Sequence, residues 1–358
     1  MKVLIAMSGG VDSSVAALLM KEKGFECIGC TMRLYENDMI GKDLLDTCCS
    51  LENTEDARKV CERIGIPYEI YHFENDFIQK VIEPFVSCYE RGATPNPCIE
   101  CNRSLKFERL FEEMEKNGCD HIVTGHYARI DYSDDSKRFI LKKALDPNKD
   151  QSYVLYSLTQ YQLKHILFPL GGLSKDETRA IASRNGFVNA SKHDSQDICF
   201  IPDGKYSDFL ERYRKMKYPE GDFIDKNGNV LGRHRGYVCY TIGQRKGLGI
   251  SAENPLYVTD IDPQNNIVTL GSNEDLFRTT LIADKINLIT TDRIDSPLRV
   301  SAKIRYRQAE QPAVAEQLDE DHLRVIFETP QRAITKGQAV VLYDGDTVIG
   351  GGTICEIP

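Results

Sequence analysis

Short apolar and β-branched runs at 2–7, 25–32, 68–73 and 121–125 alternate with helical patterns at 12–23, 54–64, 76–90 and 104–117. That alternation predicts a parallel sheet with crossover helices. Gly24 and Gly65 stand where two of the helices should stop, and Ser174-Lys-Asp-Glu177 reads as a capping box opening a helix that ends near Gly186. Beyond about residue 205 the texture changes. One helix is expected over 206–216, followed by glycine-rich segments such as 221–228 and 232–236 with strand-like runs between them. Runs at 298–307, 322–328 and 338–343, joined by Asp and Gly turns, predict an antiparallel barrel or small sandwich. The expected architecture is α/β: a parallel-sheet domain over 1–203, a small central domain over 204–278 and a C-terminal antiparallel β-barrel-like domain over 279–358.

A length of 358 residues suits more than one domain, because a single core seldom grows beyond roughly 250–300 residues. Hydrophobic residues make up 41% and charged residues 28%, too polar for a membrane protein, and no apolar run approaches the ~20 residues of a span. The chain opens directly on a strand-like run, Met1 to Met7, so a cytoplasmic location is expected. Twelve dispersed cysteines in such a compartment point to reactive or metal-binding thiols instead of a disulfide framework. A net charge of −9 means that any nucleic-acid surface must be a local basic patch. Arg299, Lys303, Arg305 and Arg307 form one candidate, and Lys142, Lys143 and Lys149 another.

The strongest chemical signal is Ser8-Gly-Gly-Val-Asp-Ser-Ser14, placed between the first strand and the first helix. Glycines let the backbone approach a ligand, and free N–H groups at a helix start bind phosphate. The loop has neither the G-x-x-x-x-G-K-[ST] nor the G-x-G-x-x-G pattern. It resembles the SGGxDS PP-loop of ATP pyrophosphatases, which cleave ATP between the α and β phosphates to adenylate an oxygen. A second constellation, Thr94-Pro-Asn-Pro-Cys-Ile-Glu-Cys-Asn102, presents Cys98 and Cys101 in a proline-flanked loop ahead of the 104–117 helix. Thiols near a helix start are competent nucleophiles or metal ligands; redox, zinc and iron–sulfur roles all stay open for a lone C-x-x-C. Cys48-Cys49 reads as a surface-loop or packing pair. In Asp194-Ser-Gln-Asp-Ile-Cys-Phe-Ile201, Cys199 taken alone reads as a small buried hydrophobe.

The order of motifs resembles the tRNA-uridine 2-sulfurtransferases, the MnmA/TrmU thiouridylase family, over essentially the whole chain. The resemblance is carried by Ala6 to Ser13, the Pro-Asn-Pro loop with Cys101-Asn102 and Lys106-Phe107, Thr124-Gly-His-Tyr-Ala128 and Lys149-Asp-Gln-Ser-Tyr153. It continues through the Cys199 segment, Tyr240 to Gly249 and Lys303-Ile-Arg-Tyr-Arg307. It implies an adenine-nucleotide α-hydrolase-like PP-loop domain that binds ATP through Ala6, Met7, Ser8, Gly9, Gly10, Val11, Asp12, Ser13, Met32 and Gly125; Mg²⁺ is expected only because ATP needs it. It implies that Cys199 carries a persulfide received from a sulfur-donor protein and that Cys101 is the catalytic nucleophile completing the exchange. It places Asn96, Pro97 and Cys98 against the target base, with Lys149, Asp150, Gln151, Arg305, Tyr306, His126 and Gln338 contacting tRNA. Tyr240 to Gly249 is left as structural or tRNA-facing.

One departure from the family pattern concerns the residue three before the nucleophile, often Asp and here Cys98. Two routes therefore follow: metal-free persulfide chemistry, or a four-iron four-sulfur cluster on Cys98, Cys101 and Cys199. The expected reaction is ATP-dependent thiolation of the wobble uridine. Competing readings are a small-molecule ligase using the same ATP chemistry, and a non-enzymatic RNA-binding or metal-storage protein.

Overall fold

The computed structural model describes residues 1–35, 51–192, 198–202 and 204–358. Cys48, Cys49 and residues 194–197 of the third motif lie outside the described residues. Strands β1 (Lys2–Ala6), β2 (Glu26–Arg33), β3 (Tyr68–His72) and β4 (His121–Val123) are separated by helices, as the alternation predicts. β5 (Ala128–Ser133) and β6 (Arg138–Lys143) form a hairpin, and the short β7 (Ile166–Leu167) closes the parallel sheet in the order β3-β2-β1-β4-β7. The chain winds outward from β1 to β3 and then returns to lay β4 on the other side of β1. The switch in direction opens a crevice beyond the carboxyl ends of β1 and β4, where open α/β sheets bind ligands.

The capping box forms as expected. Ser174 Oγ accepts from the Glu177 amide and the Glu177 carboxylate accepts from the Ser174 amide, at the start of the Lys175–Arg184 helix. The helix expected over 104–117 begins earlier, at Pro97, and runs through Pro97–Cys101, a π-helical stretch Asn102–Arg109 and Leu110–Lys116. Pro97 in the first turn starts it, since its fixed φ and missing N–H suit that position. Cys98 and Cys101 are therefore inside the first helical turns and not in a loop ahead of them.

After the Tyr206–Arg214 helix, β8 (Gly221–Ile224), β9 (Val230–His234), β10 (Tyr257–Asp262) and β11 (Ile267–Gly271) make a sheet in the order β10-β11-β8-β9. β12 (Phe277–Leu288), β13 (Leu298–Lys303), β14 (Gln311–Gln317), β15 (Leu323–Arg332), β16 (Ala339–Asp344) and β17 (Thr347–Glu356) form an antiparallel sheet. Pairing of β12 with β17 closes it into a six-stranded barrel among the described residues. The β5–β6 hairpin hangs on β17 through Lys142 and Thr347, tying the first unit to the last. The strand expected over 298–307 stops at Lys303, because Gln308 N–H returns to the Arg305 carbonyl and turns the chain. Arg305 and Arg307 thus sit in a turn and do not extend a strand stripe. Among the described residues no helix is long and apolar enough to cross a membrane.

Candidate functional site

Ser8 to Ser14 lies at the carboxyl end of β1 and turns directly into the helix Val11–Glu22. The N-cap is Gly10, which offers no side-chain cap, so the first helical N–H groups are left for a ligand. The loop is braced from within: the Ser8 amide donates to Ser13 Oγ at 3.1 Å, and the Ser13 and Ser14 hydroxyls both donate to the Gly10 carbonyl. Gly125 follows β4 across the crevice. A Cβ there would stand 2.7 Å from the Ser13 amide nitrogen and 2.8 Å from the Asp12 carbonyl carbon, so only glycine lets the two segments meet. Gly9 has φ +74° and sits against the Asn53 backbone in the same way. Met7 donates its amide to the Cys30 carbonyl, and Met32 lies near the end of β2. The structure therefore brings the predicted nucleotide residues, 6–13 with Met32 and Gly125, to one end of the sheet.

Several residues around this loop were not singled out from the sequence. Lys175, nearly buried, donates to both Asp12 carboxylate oxygens at 2.7 and 2.8 Å, and the Tyr127 hydroxyl lies 2.8 Å from Asp12 Oδ1. The cost of burying an ammonium largely offsets the attraction of such a pair, so its effect is on position more than stability. Asn189, 1% exposed, donates to the Gly9 carbonyl and lies 2.9 Å from Ser14 Oγ, while its Oδ1 has no partner. Lys175 belongs to the capping-box segment and Tyr127 to the Thr124–Ala128 motif, so both were in view without their role being visible. Asn189 carries no local signal at all.

A second set of residues gathers beside the Pro97–Cys101 helix. Gln338 Nε2 donates to the Thr94 and Pro95 carbonyls at 2.9 and 3.1 Å, and the Thr94 amide donates to the Lys336 carbonyl, docking this loop on the barrel. Gln151 Oε1 accepts from the Tyr127 amide at 2.9 Å, so the 149–151 loop is linked through Tyr127 to Asp12 of the first loop. Asp150 accepts from the Ser152 hydroxyl and amide and from the Ala144 amide. Burial raises the Tyr306 phenol pKa, with the Asp150 carboxylate and the Cys98 thiol nearby adding to it. Asn96, Pro97, Cys98, Asp150, Tyr306 and Gln338 therefore share one neighbourhood with Arg305. The second basic candidate is less open than its sequence suggests, because Lys142 pairs with Asp131 and Lys143 with Glu310.

His126 is buried, with Nδ1 2.7 Å from Thr124 Oγ1 and its ring against Phe107 and Phe168. Burial, with the Lys106 ammonium adding repulsion, holds its pKa well below the usual 6.5. The folded protein keeps this imidazole neutral, whereas the unfolded chain takes up the proton near pH 6.5. Stability should therefore fall as pH drops below that value, by up to about 1.4 kcal/mol per pH unit from this group. His121 and His234 shift the same way through burial, so the test is a difference. His126→Gln should flatten the fall of Tm between pH 6.5 and about 5 relative to the parent; parallel curves would reject the assignment.

The cysteines divide by environment. Cys98 is exposed, Cys101 is buried and Cys199 is intermediate. Phe200, next to Cys199, packs edge-on against Phe77 and Phe85 at centroid distances of 5.5 and 5.2 Å, and the Tyr35 hydroxyl donates to the Cys199 carbonyl. The Pro97–Cys101 helix packs on Ile78–Ile82, between those two phenylalanines in the chain. Both sulfur-bearing segments thus dock on one helical stretch and join one hydrophobic cluster. Among the described residues no three or more His, Cys, Asp or Glu side chains converge as a metal-holding group.

Comparison with known proteins gives the lineage. A family model described as the tRNA methyl transferase HUP domain matches residues 1–203. The tRNA methyl transferase PRC-barrel domain matches 207–272 and the Aminomethyltransferase beta-barrel domain 278–354. The chain is 49% identical over 353 residues to the tRNA-specific 2-thiouridylase MnmA of Clostridioides difficile (strain 630), covering 99% of this chain and 98% of that one. It is 50% identical over 355 residues to tRNA-specific 2-thiouridylase MnmA 1 of Caldanaerobacter subterraneus subsp. tengcongensis, covering 99% and 97%. It is also 49% identical over 354 residues to the enzyme of that name from Acetivibrio thermocellus, covering 99% of each. With one family model spanning more than half of its length and relatives of about half identity running from end to end, the chain belongs to the tRNA-specific 2-thiouridylase family.

Proposed function

We propose that this protein adenylates the C2 oxygen of the wobble uridine of tRNA with ATP and replaces that oxygen by sulfur. The observation that carries the reading is the placement of a glycine-serine loop with an uncapped helix start at the sheet's switch point, in a chain that also seats Cys101 and Cys199 on one helical stretch.

A uridine C2 oxygen is a poor leaving group. Its attack on the α-phosphorus of ATP releases pyrophosphate and leaves AMP on the oxygen. Residues 6–13, Met32 and Gly125 hold the nucleotide, the helix-start N–H groups facing its phosphates. Mg²⁺ would accompany the nucleotide, held chiefly through the phosphates themselves and neutralising their charge. A sulfur-donor protein charges Cys199 as a persulfide, whose outer sulfur attacks C2 and displaces AMP. Cys101 then attacks the inner sulfur, so that a Cys101–Cys199 disulfide forms and the transferred sulfur stays on the base. The disulfide must be reduced before the next turnover. Asn96, Pro97 and Cys98 meet the extruded base, while Lys149, Asp150, Gln151, Arg305, Tyr306 and Gln338 face the RNA, with His126 the most deeply set of the group. The reaction is assigned to the cytoplasm, where ATP, tRNA and reducing thiols coexist.

The test is reconstitution of the full chain with ATP, Mg²⁺, a persulfide donor and unmodified tRNA. AMP, pyrophosphate and 2-thiouridine should appear together and only with tRNA present. Absence of tRNA-dependent AMP release under reducing conditions would overturn the reading.

A further inference from the structure

The Tyr240–Gly249 segment is not used by the reaction described above, yet part of it lines a cavity of about 420 Å³ where the three units meet. Thr94 comes from the first unit, Thr241 and Gln244 from the central one, and Arg305, Arg332 and Gln338 from the barrel. The turn closed by the Gln244 amide on the Thr241 carbonyl sets both residues against the opening, and the Thr241 hydroxyl makes no hydrogen bond among the described residues.

The charge in this cavity is unbalanced. Arg305 donates to the Ala333 carbonyl, and Arg332 donates to Asn273 Oδ1 at 2.9 Å with its guanidinium 5.2 Å from the centre of the Tyr257 ring. All of these partners are neutral, and among the described residues neither arginine makes an ion pair. Burial of Arg305, and then the charge of Arg332, both push the Arg305 pKa below the ordinary guanidinium range. Arginine nevertheless stays protonated, so two like charges face one half-enclosed space. Each fork has N–H donors beyond those already engaged. An anion with several oxygens relieves the repulsion and takes up those donors, and phosphate matches guanidinium geometry best.

Position narrows the ligand further. The cavity wall includes Thr94, whose carbonyl is held by Gln338 and whose loop leads directly into the Cys98–Cys101 turn. We infer that this cavity is a seat for a backbone phosphate of the RNA close to the reacting nucleotide, gripped jointly by Arg305 and Arg332 with Thr241 as a further donor. The inference rests on the tRNA reading and adds Arg332 and Thr241 to it. The seat fixes the strand beside the flipped base without reading sequence, as phosphate contacts do.

Equilibrium binding of unmodified tRNA to the full chain, measured across a potassium chloride series, tests this. Arg332→Ala should weaken binding roughly tenfold and lower the slope of log affinity against log salt by about one phosphate contact, leaving ATP affinity unchanged. Arg332→Lys should restore the slope and only part of the affinity, and Thr241→Val, which leaves both charges in place, should weaken binding with no change in slope. Inorganic phosphate at constant ionic strength should compete with tRNA on the parent protein and lose that competition on Arg332→Ala. If the parent thiolates tRNA while Arg332→Ala keeps the parent's affinity and slope, the seat is wrong and the tRNA reading stands. If the parent neither binds nor thiolates tRNA, yet phosphate shifts its Tm and not that of Arg332→Ala, both the tRNA reading and the RNA assignment fall, and the seat belongs to free phosphate.

Discussion

Replacing Cys199 by Ser should abolish 2-thiouridine formation by several orders of magnitude while leaving tRNA-dependent release of pyrophosphate in place. A serine hydroxyl cannot carry a transferable sulfur, so the step that fails is the attack on C2 and not the activation of the oxygen. The two steps also draw on different residues. In the proposed reaction adenylation draws on the loop after β1, whereas sulfur transfer draws on Cys199, seated by Phe200 against Phe77 and Phe85. Half-buried Cys199 and a serine of similar size differ little in packing, so Tm should move little. Product nucleosides and pyrophosphate are measured side by side after one and many turnovers. Retention of thiolation at the parent rate would remove Cys199 from the sulfur path. Simultaneous loss of pyrophosphate release would instead assign it to activation.

Gly125→Ala should cost roughly 10²-fold in tRNA-dependent adenylation, the penalty expected when a reacting group is displaced by about an ångström. The added methyl would meet backbone at both of its nearest contacts, the Ser13 nitrogen and the Asp12 carbonyl carbon, so no side chain can swing away to receive it. The loop itself must move, and with it the N–H groups proposed to face the phosphates. Gly172→Ala is the matched control, since a Cβ there meets nothing within 4 Å and that variant should behave as the parent does. Affinity for tRNA should largely survive Gly125→Ala, because most of the residues proposed to face the RNA, His126 apart, do not touch Gly125. Normal pyrophosphate release by Gly125→Ala would place nucleotide binding elsewhere.

Lys175 illustrates what lies beyond sequence reasoning. Its segment was legible as a capping box, and that box forms; its ammonium reaching Asp12 across 163 residues was not legible. The Cys98–Cys101 pair is legible as a chemical unit, whereas its helical setting is not. Pro97 starts the helix seven residues before the periodic stretch begins, because a proline start outweighs the weaker pattern that follows. The basic run from Arg299 to Arg307 was legible as charge and not as shape, since the turn after Lys303 separates its two halves.

What the sequence determined by itself was everything with a short period or a local chemical signature. This includes the alternation that makes a parallel sheet, the glycine-serine loop between strand and helix, the capping box and the order of motifs. These follow from interactions among residues a few positions apart, which the order of side chains encodes directly. Only the tertiary structure decided which distant groups meet. Gln338 fastens a loop 244 residues away, the β5–β6 hairpin joins the barrel, Phe200 sets Cys199 on the helical stretch that also supports Cys101, and Arg332 comes to face Arg305. Such meetings depend on how whole faces pack and leave no period in the sequence, which is why adenylation was legible in one loop and the geometry of sulfur transfer was not.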